Sequence, residues 1–143
     1  LRTKEDRAAI ISALNEGVIT VIATDHAPHS RDEKNKPIDK APFGIIGLQH
    51  AFPLIYTYIV EEGLVKLETV LDCLTTGPAA TLNLECEIEE GMKADLCAFD
   101  LDKAYTIKEE DLKSKACNTP FLGWNVKGAL VLNIVDGQLL VEA

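Results

Sequence analysis

The feature that most constrains this chain is the apolar run VITVIA at residues 18–23. It is a nearly continuous β-branched stretch, which favours a strand. A strand without an alternating polar face is typical of a parallel sheet that is covered on both sides. Residues 4–16, directly before it, are predicted to be helical, with Thr3 and Asp6 resembling a capping box and Gly17 suiting the C-terminal end. A helix that leads straight into a buried strand indicates an α/β fold.

The stretch from Ser30 to Pro42 is polar, charged and interrupted by prolines, so it is predicted to be a loop long enough to have a function. A helix is predicted over residues 47–62, with Pro53 expected to kink it or to offset its start. Further helices are predicted over residues 67–74 and from Thr76 onward, where a proline lies in the first turn.

The pattern changes after Leu84 to short β-prone segments separated by turn residues. Asp136-Gly137, between two apolar runs, predicts a hairpin. The predicted strands are residues 95–99, 104–107, 129–135 and 138–142. We therefore expect two units, an α/β unit over residues 1–85 and a β-rich module over residues 86–143.

Residues 24–29, Thr-Asp-His-Ala-Pro-His, are the best candidate for a site. Asp25 stands where the predicted strand ends, and such strand ends hold the active sites of parallel α/β folds. A carboxylate there can bind a metal or act as a general base, although it can also simply cap the loop. His29 adds a possible ligand or hydrogen-bond donor. His26 is interpreted as a loop residue and His50 as a packing or surface residue.

Charge and cysteine content exclude some functions. The formal net charge of −9 argues against nucleic acid and anionic membranes as partners. No run is as long and apolar as a membrane span, and no secretory leader opens the chain, which lacks an initiator Met. The cysteines show no zinc-site spacing and are predicted to be reduced, which favours a cytoplasmic location. They are Cys73, Cys86, Cys97 and Cys117.

Four segments, in order, resemble the C-terminal portion of class I dihydroorotases in the amidohydrolase superfamily. They are VIATDHAPHS at 21–30, APFGIIGLQHAFP at 41–53, EIEEGMKADLCAFD at 87–100 and NTPFLGWNVKGALVLNIVDGQLL at 118–140. The resemblance implies the end of a (β/α)8 metal-dependent hydrolase barrel followed by a β-rich accessory module. It also implies reversible cyclisation of N-carbamoyl-L-aspartate to L-dihydroorotate, in pyrimidine biosynthesis.

The resemblance also implies roles for individual residues. Asp25 matches the Asp that binds the catalytic zinc, present as one or two ions, and shuttles the proton. His29 matches the His that binds the substrate carboxylate. Phe43 and Gly44 match the pair whose backbone groups lie against the pyrimidine ring. The loop over residues 30–43 is expected to close over the ligand.

The family's other metal ligands are absent from these residues, so we expect them in a preceding N-terminal part of the barrel and expect the segment alone to be inactive. Homodimerisation and association with aspartate transcarbamoylase are further possible partnerships. The alternatives are a non-catalytic dihydroorotase-like subunit that scaffolds aspartate transcarbamoylase, a related amidohydrolase such as a dihydropyrimidinase or allantoinase, and a freestanding binding module.

Overall fold

The structure is a computed structural model that describes residues 3–142. Helix α1 spans Lys4–Asn15 and starts with the predicted capping box, in which the Thr3 hydroxyl accepts from the Asp6 amide and the Asp6 carboxylate accepts from the Thr3 amide. Gly17 follows the helix with φ +69°, a conformation that favours glycine. The prediction of a capped helix ending at Gly17 is confirmed.

The VITVIA segment at 18–23 forms no strand with any part of residues 3–142. Its contacts lie on the helical side, where the Ile22 amide donates to the Cys73 carbonyl at 2.9 Å and the Cys73 thiol donates to the Ile19 carbonyl at 3.6 Å. Val18 is 72% exposed, so the expected burial on both faces is not found in this chain. A strand needs neighbouring strands, and the described residues supply none for this segment.

After a single helical turn, α2 at Arg31–Lys34, the helix predicted over residues 47–62 begins later than expected. It forms α3 at Ala51–Ile55 and continues as a π-helical turn over Tyr56–Val60. Pro53 lies in the first turn, where its missing N–H leaves no helical hydrogen bond unmade. The proline therefore offsets the start of the helix, which was one of the two predicted outcomes.

Helices α4 at Leu67–Leu74 and α5 at Thr76–Leu82 confirm the remaining helical predictions. Gly77 starts α5 so close to the 18–23 segment that a Cβ there would lie 1.9 Å from the Thr20 carbonyl oxygen. The main apolar core lies between α1, α4 and this segment. Its buried members are Leu14, Val65, Val70 and Cys73.

The β-rich part is an antiparallel sheet in the order β1-β2-β3, with β1 at Leu96–Thr106, β2 at Asn125–Val135 and β3 at Gln138–Glu142. The predicted segments 95–99 and 104–107 are the two halves of β1. The pairing slips between them because the Asp100 carboxylate accepts from the amides of Asp102 and Lys103. A short 3₁₀ turn, Glu109–Asp111, follows β1.

The sheet packs on α3 through aromatic rings. The ring centroids of Phe52 and Phe99 lie 4.2 Å apart. Gly128 of β2, at φ +87°, allows this approach, because a Cβ there would lie 3.1 Å from the Phe52 ring. The Lys127 amide donates to the Thr57 hydroxyl at 2.8 Å, which ties β2 to the π-helical turn. The helical part and the sheet are therefore in direct contact.

All four cysteines lie among the described residues and carry free thiols. Cys73 is buried, as a small apolar residue would be, whereas Cys86 and Cys97 are exposed. No helix within residues 3–142 has the length and apolar character needed to cross a membrane.

Candidate functional site

Asp25 is separated from the 18–23 segment by Thr24 alone. The backbone of Asp25 has φ +46°. This left-handed conformation is uncommon for residues other than glycine, although Asp tolerates it better than most. The side chain is exposed, and its carboxylate forms no hydrogen bond with the residues that the structure describes. Among residues 3–142, Asp25 is thus a carboxylate without a hydrogen-bond partner at a position of left-handed backbone, just after the 18–23 segment.

The loop after Asp25 pairs with the chain that contains Gly44. The Ala27 amide donates to the Ile45 carbonyl at 2.9 Å. Gly44 has φ +109°, and a Cβ at this position would lie 2.6 Å from the Ala27 Cβ and 3.4 Å from His29 Nε2. Only glycine fits this approach without displacement of the loop. The structure therefore brings together His29 and Gly44, two of the residues that the sequence singled out.

Asn118, in the segment between β1 and β2, joins both stretches. Its side-chain NH2 donates to the Ala27 carbonyl at 2.9 Å and to the Gly44 carbonyl at 3.2 Å. Its side-chain oxygen accepts from the His29 amide at 3.2 Å, and its backbone carbonyl accepts from the Ile46 amide at 3.1 Å. The sequence predictions gave Asn118 no role, because its bonds join positions 74–91 residues away. The only signal was its place within the NTPFLGW string.

The polar stretch after His29 is more ordered than the predicted loop. Ser30 caps a single turn of helix, α2 at Arg31–Lys34, in a capping box with Glu33. The Lys34 ammonium then donates to the carbonyls of Pro42 at 3.0 Å and Gly44 at 3.2 Å. The expectation of a loop without regular structure was therefore wrong for this turn, since a Ser-x-x-Glu sequence can start a helix within a charged segment.

A cleft of about 260 Å³ opens beside this turn. Its lining is largely polar and carries His29, Arg31 and Lys34, with Glu109 as the acidic member. Arg31 and Glu109 form an ion pair. His29 Nδ1 lies 3.9 Å from the Glu33 carboxylate, too far for a hydrogen bond. His29 therefore lies near two cationic side chains, Arg31 and Lys34, and near the carboxylates of Glu33 and Glu109.

Phe43 precedes Gly44 and its side chain is 96% exposed. No aromatic pairing fixes its ring among residues 3–142. The Gly44 carbonyl, in contrast, is held by both Lys34 and Asn118. The Phe43-Gly44 pair therefore combines a fixed backbone with an exposed ring.

His26 and His50 lie beside a second cleft, of about 390 Å³, lined mainly by apolar groups. His26 Nδ1 accepts from the amides of Gly47 and Leu48, which leaves the ring proton of the neutral form on Nε2. His50 is buried, with Nδ1 3.2 Å from the Tyr105 hydroxyl and no partner for Nε2 among the described residues. Burial lowers the pKa of His50, an effect that Asp111 partly opposes. These contacts agree with a loop role for His26 and a packing role for His50.

The described residues contain no cluster of three or more His, Cys, Asp or Glu side chains able to hold a metal ion. Asp25, the metal ligand that the family resemblance implies, is an exposed carboxylate with no hydrogen-bond partner among residues 3–142, which suits a single oxygen ligand. The described residues alone do not gather the three protein ligands that a catalytic zinc usually has.

The amidohydrolase family model matches residues 1–140 of the chain. The chain is 50% identical to a dihydroorotase of Staphylococcus aureus (strain Mu50 / ATCC 700699) and 46% identical to a dihydroorotase of Brevibacillus brevis. Each match covers 99% of this chain and 34% of the relative. Among solved structures, the L-hydantoinase (dihydropyrimidinase) of Arthrobacter aurescens matches with a TM-score of 0.89 at 28% identity, over 99% of this chain and 33% of that chain.

The chain thus spans about a third of the length of the curated relatives that it matches. The likeness to dihydroorotases that four sequence segments indicated is confirmed, because the identity extends over the whole chain. The predicted fold class, an α/β end of an amidohydrolase barrel with a small β-rich module, is confirmed as well by the match to solved structures.

Proposed function

The chain belongs to the amidohydrolase family, and on that premise we propose that the protein containing it is a dihydroorotase. The reaction is the reversible cyclisation of N-carbamoyl-L-aspartate to L-dihydroorotate, in pyrimidine biosynthesis. The observation that carries the proposal is the hydrogen bonding that joins residues 27–29 to residues 44–46, directly and through Asn118. It sets the His29 imidazole beside the fixed Gly44 backbone, four residues after the exposed Asp25 carboxylate. The 46–50% identity to dihydroorotases supports the choice of substrate.

Asp25 is proposed as a ligand of a catalytic zinc ion, one of one or two such ions, with the other ligands supplied by chain outside the described residues. Zinc lowers the pKa of bound water and polarises a carbonyl group, which is the chemistry that amide hydrolysis needs. The exposed Asp25 carboxylate, without a hydrogen bond to residues 3–142, is free to act as a ligand. Because a single protein ligand does not suffice, we expect this segment alone to be inactive.

Asp25 is also proposed as the proton carrier. In hydrolysis, its carboxylate accepts the proton released as water adds to the ring carbonyl. It then delivers that proton to the ring nitrogen as the C–N bond breaks, so the nitrogen leaves as a neutral amide. In cyclisation the same carboxylate first takes the proton from the attacking carbamoyl nitrogen. Asp25 has φ +46°, the left-handed region of backbone conformation.

His29, Phe43 and Gly44 are proposed to bind the substrate. His29 lies beside a polar cleft that carries Arg31, paired with Glu109, and Lys34. An imidazole and an ammonium group there favour the carboxylate that distinguishes dihydroorotate from uncharged cyclic amides. The Phe43-Gly44 backbone, held through the Gly44 carbonyl, would lie against the ring. Closure of residues 30–43 over the ligand stays a prediction.

The wider organisation follows from the same premise. We propose that residues 1–85 complete a barrel whose preceding part lies in the longer protein, and that residues 86–143 form its accessory module. A cytoplasmic location, a homodimer and an association with aspartate transcarbamoylase are proposed from the family resemblance. Nucleic acid and membranes are not proposed as partners because of the net charge of −9.

A related cyclic amidohydrolase is the second candidate, because solved hydantoinases match the fold with TM-scores near 0.89. The test is an assay of the full-length protein with dihydroorotate, dihydrouracil, hydantoin and allantoin, with and without added zinc. Zinc-dependent turnover of dihydroorotate and N-carbamoyl-L-aspartate is expected. Faster turnover of dihydrouracil, hydantoin or allantoin than of dihydroorotate would support the second candidate. No turnover of any of these substrates would support a non-catalytic scaffold.

His29→Ala in the same protein separates binding from chemistry. A charge-assisted hydrogen bond contributes about 1.5–3 kcal/mol, so KM for dihydroorotate should rise by about tenfold or more with unchanged zinc content. Loss of zinc together with a normal KM would contradict the proposed role of His29.

A further inference from the structure

The side chain of Asn118 makes three hydrogen bonds to two stretches that carry proposed substrate-binding residues. It accepts from the His29 amide and donates to the carbonyls of Ala27 and Gly44, at 2.9–3.2 Å. Its backbone carbonyl adds a fourth bond, from the Ile46 amide. Each bond reaches across at least 70 residues of sequence. Asn118 is therefore a point where a distant part of the chain fixes the relative position of His29 and Gly44.

We propose that Asn118 is a positioning residue for substrate binding, which holds the His29 stretch and the Gly44 stretch in register. The inference deepens the proposed dihydroorotase function and rests on it. Asn118 reaches the backbone of both stretches and acts on the substrate only through them. The segment between β1 and β2, which contains Asn118, therefore contributes indirectly to substrate binding.

The chemistry of the bonds requires an amide side chain. One end of the group must accept from an N–H, and the other must donate to two carbonyl oxygens. A carboxylate of the same shape would keep the acceptor, but it would place a negative oxygen against the carbonyls of Ala27 and Gly44. Alanine would leave all three backbone groups without this partner. Asp and Ala at this position therefore remove the contact in two different ways.

Lys34 does not replace Asn118. The Lys34 ammonium binds the Gly44 carbonyl from the 30–43 segment, so it links Gly44 only to a neighbouring part of the same loop. The other links between the two stretches are the direct bond from the Ala27 amide to the Ile45 carbonyl and the bonds from the Gly47 and Leu48 amides to His26 Nδ1. With Asn118 removed these bonds would remain, but none of them holds His29 or Gly44 itself, so that pair would sample wider separations.

The test uses the full-length protein with Asn118→Asp, Asn118→Ala and the matched control Asn133→Asp. Asn133 lies in β2, and its side chain makes no hydrogen bond with any described residue. Both Asn118 variants should raise KM for dihydroorotate by about tenfold or more and change kcat by less than threefold, with unchanged zinc content. Asn133→Asp should leave KM as in the parent. Unchanged KM in both Asn118 variants would overturn the proposal.

Coupling to His29 provides a readout that a general loss of stability would not produce. If Asn118 acts through the His29 stretch, the double variant His29→Ala/Asn118→Asp should raise KM by less than the product of the two single effects. Multiplicative effects would overturn a role through His29. If His29→Ala alone leaves KM unchanged, the proposed role of His29 in binding the substrate carboxylate is contradicted. The positioning role of Asn118 is then tested by hydrogen exchange.

Hydrogen exchange does not depend on activity. The amides of Ala27, His29 and Ile46 should exchange at least tenfold faster in Asn118→Asp than in Asn133→Asp, while amides of α4, which contains neither substitution, exchange alike in both. Equal exchange at these amides in the two variants would overturn the positioning role, even in a protein that turns over no dihydroorotate.

Discussion

The segment at 18–23 and strand β2 at Asn125–Val135 both contain β-branched apolar residues, but they have different structures. The 18–23 segment has the higher β-branched content, five residues of six against four of eleven in β2. In β2, hydrogen-bonded neighbours lie on both sides and Val126 is 1% exposed. In the 18–23 segment, the described residues supply no neighbouring strand, and Val18 is 72% exposed. The difference shows that a sequence with high strand propensity forms a strand only where neighbouring strands can pair with it.

The two regions also differ in how they support a strained residue. Asp25 and Asp136 both have positive φ, +46° and +56°. Asp136 belongs to the β2–β3 hairpin, where its amide donates to the Asp95 carboxylate and its own carboxylate pairs with Lys93 at 2.7 Å. The Asp25 carboxylate has no such partner within residues 3–142. Strain that local contacts do not explain is more typical of a functional site than of a turn.

The largest effect is expected when the 143-residue chain is separated from the rest of the protein. Amides in β2 should stay protected from hydrogen exchange, whereas those of residues 18–23 should exchange at nearly unprotected rates. In the full-length protein both segments should be protected, because strands of the proposed preceding part of the barrel would pair with residues 18–23. The free energy of the opening that allows exchange at residues 18–23 should therefore rise from about zero in the isolated chain toward the global stability of the full-length protein, about 5–15 kcal/mol. A sharp cooperative thermal transition of the isolated chain would contradict this expectation.

The next effect is on turnover, through Asp25→Asn in the full-length protein, with Asp136→Asn as the matched control. Asn tolerates the left-handed conformation as Asp does, so both substitutions preserve the backbone. Asp25→Asn should reduce turnover in both directions by about 10²-fold or more, because an amide cannot carry the proton. Asp136→Asn should leave turnover unchanged. Near-normal turnover of Asp25→Asn, with zinc content measured in parallel, would remove Asp25 from the mechanism.

A smaller effect is expected from Gly44→Ala, compared with Gly137→Ala in the hairpin. Both glycines have positive φ, but a Cβ at Gly44 meets Ala27 at 2.6 Å, whereas a Cβ at Gly137 meets nothing within 4 Å. Strain of this kind costs about 1–3 kcal/mol. Gly44→Ala should therefore raise KM for dihydroorotate by about tenfold, and Gly137→Ala should only lower the melting temperature. Equal KM values would show that the 43–46 stretch does not contact the substrate.

The sequence alone was sufficient to predict structural features that are set by residues close together in the chain. Thr3 and Asp6 set the start of α1, Gly17 its end, and Asp136-Gly137 the hairpin. These determinants act through bonds within a few residues, so composition and spacing reveal them. The Ser30–Glu33 capping box was equally local, but the charged composition around it suggested a loop without helix.

Other features could not be predicted from the sequence. Whether Pro53 would kink the helix or offset its start depends on where the helix begins, and the slip within β1 depends on hydrogen bonds of the Asp100 side chain. In the candidate site, Asp25, His29, Phe43 and Gly44 were predicted from a motif and a resemblance. Asn118 was missed because nothing near it in the sequence hints at Ala27 or Gly44.

The smallest expected effect concerns His50, in the contact between α3 and the sheet. Burial holds its pKa below the ordinary value, against the opposing charge of Asp111. An unfolded His titrates near pH 6.5. Between the folded and the unfolded pKa the unfolded chain binds more protons, so the contribution of His50 is fully present above about pH 6.5 and is lost as the pH falls below it.

The melting temperature of the full-length protein, measured at pH 7.5 and at pH 5.5, tests this linkage. His50→Gln retains a group able to bond the Tyr105 hydroxyl but cannot titrate, so the drop in melting temperature between the two pH values should be smaller than in the parent. Tyr105→Phe removes the hydroxyl bond while the imidazole stays buried, so the drop should persist even if the protein is less stable throughout. If His50→Gln shows the parent's full drop, acid sensitivity arises elsewhere, and the α3–sheet contact is insensitive to pH.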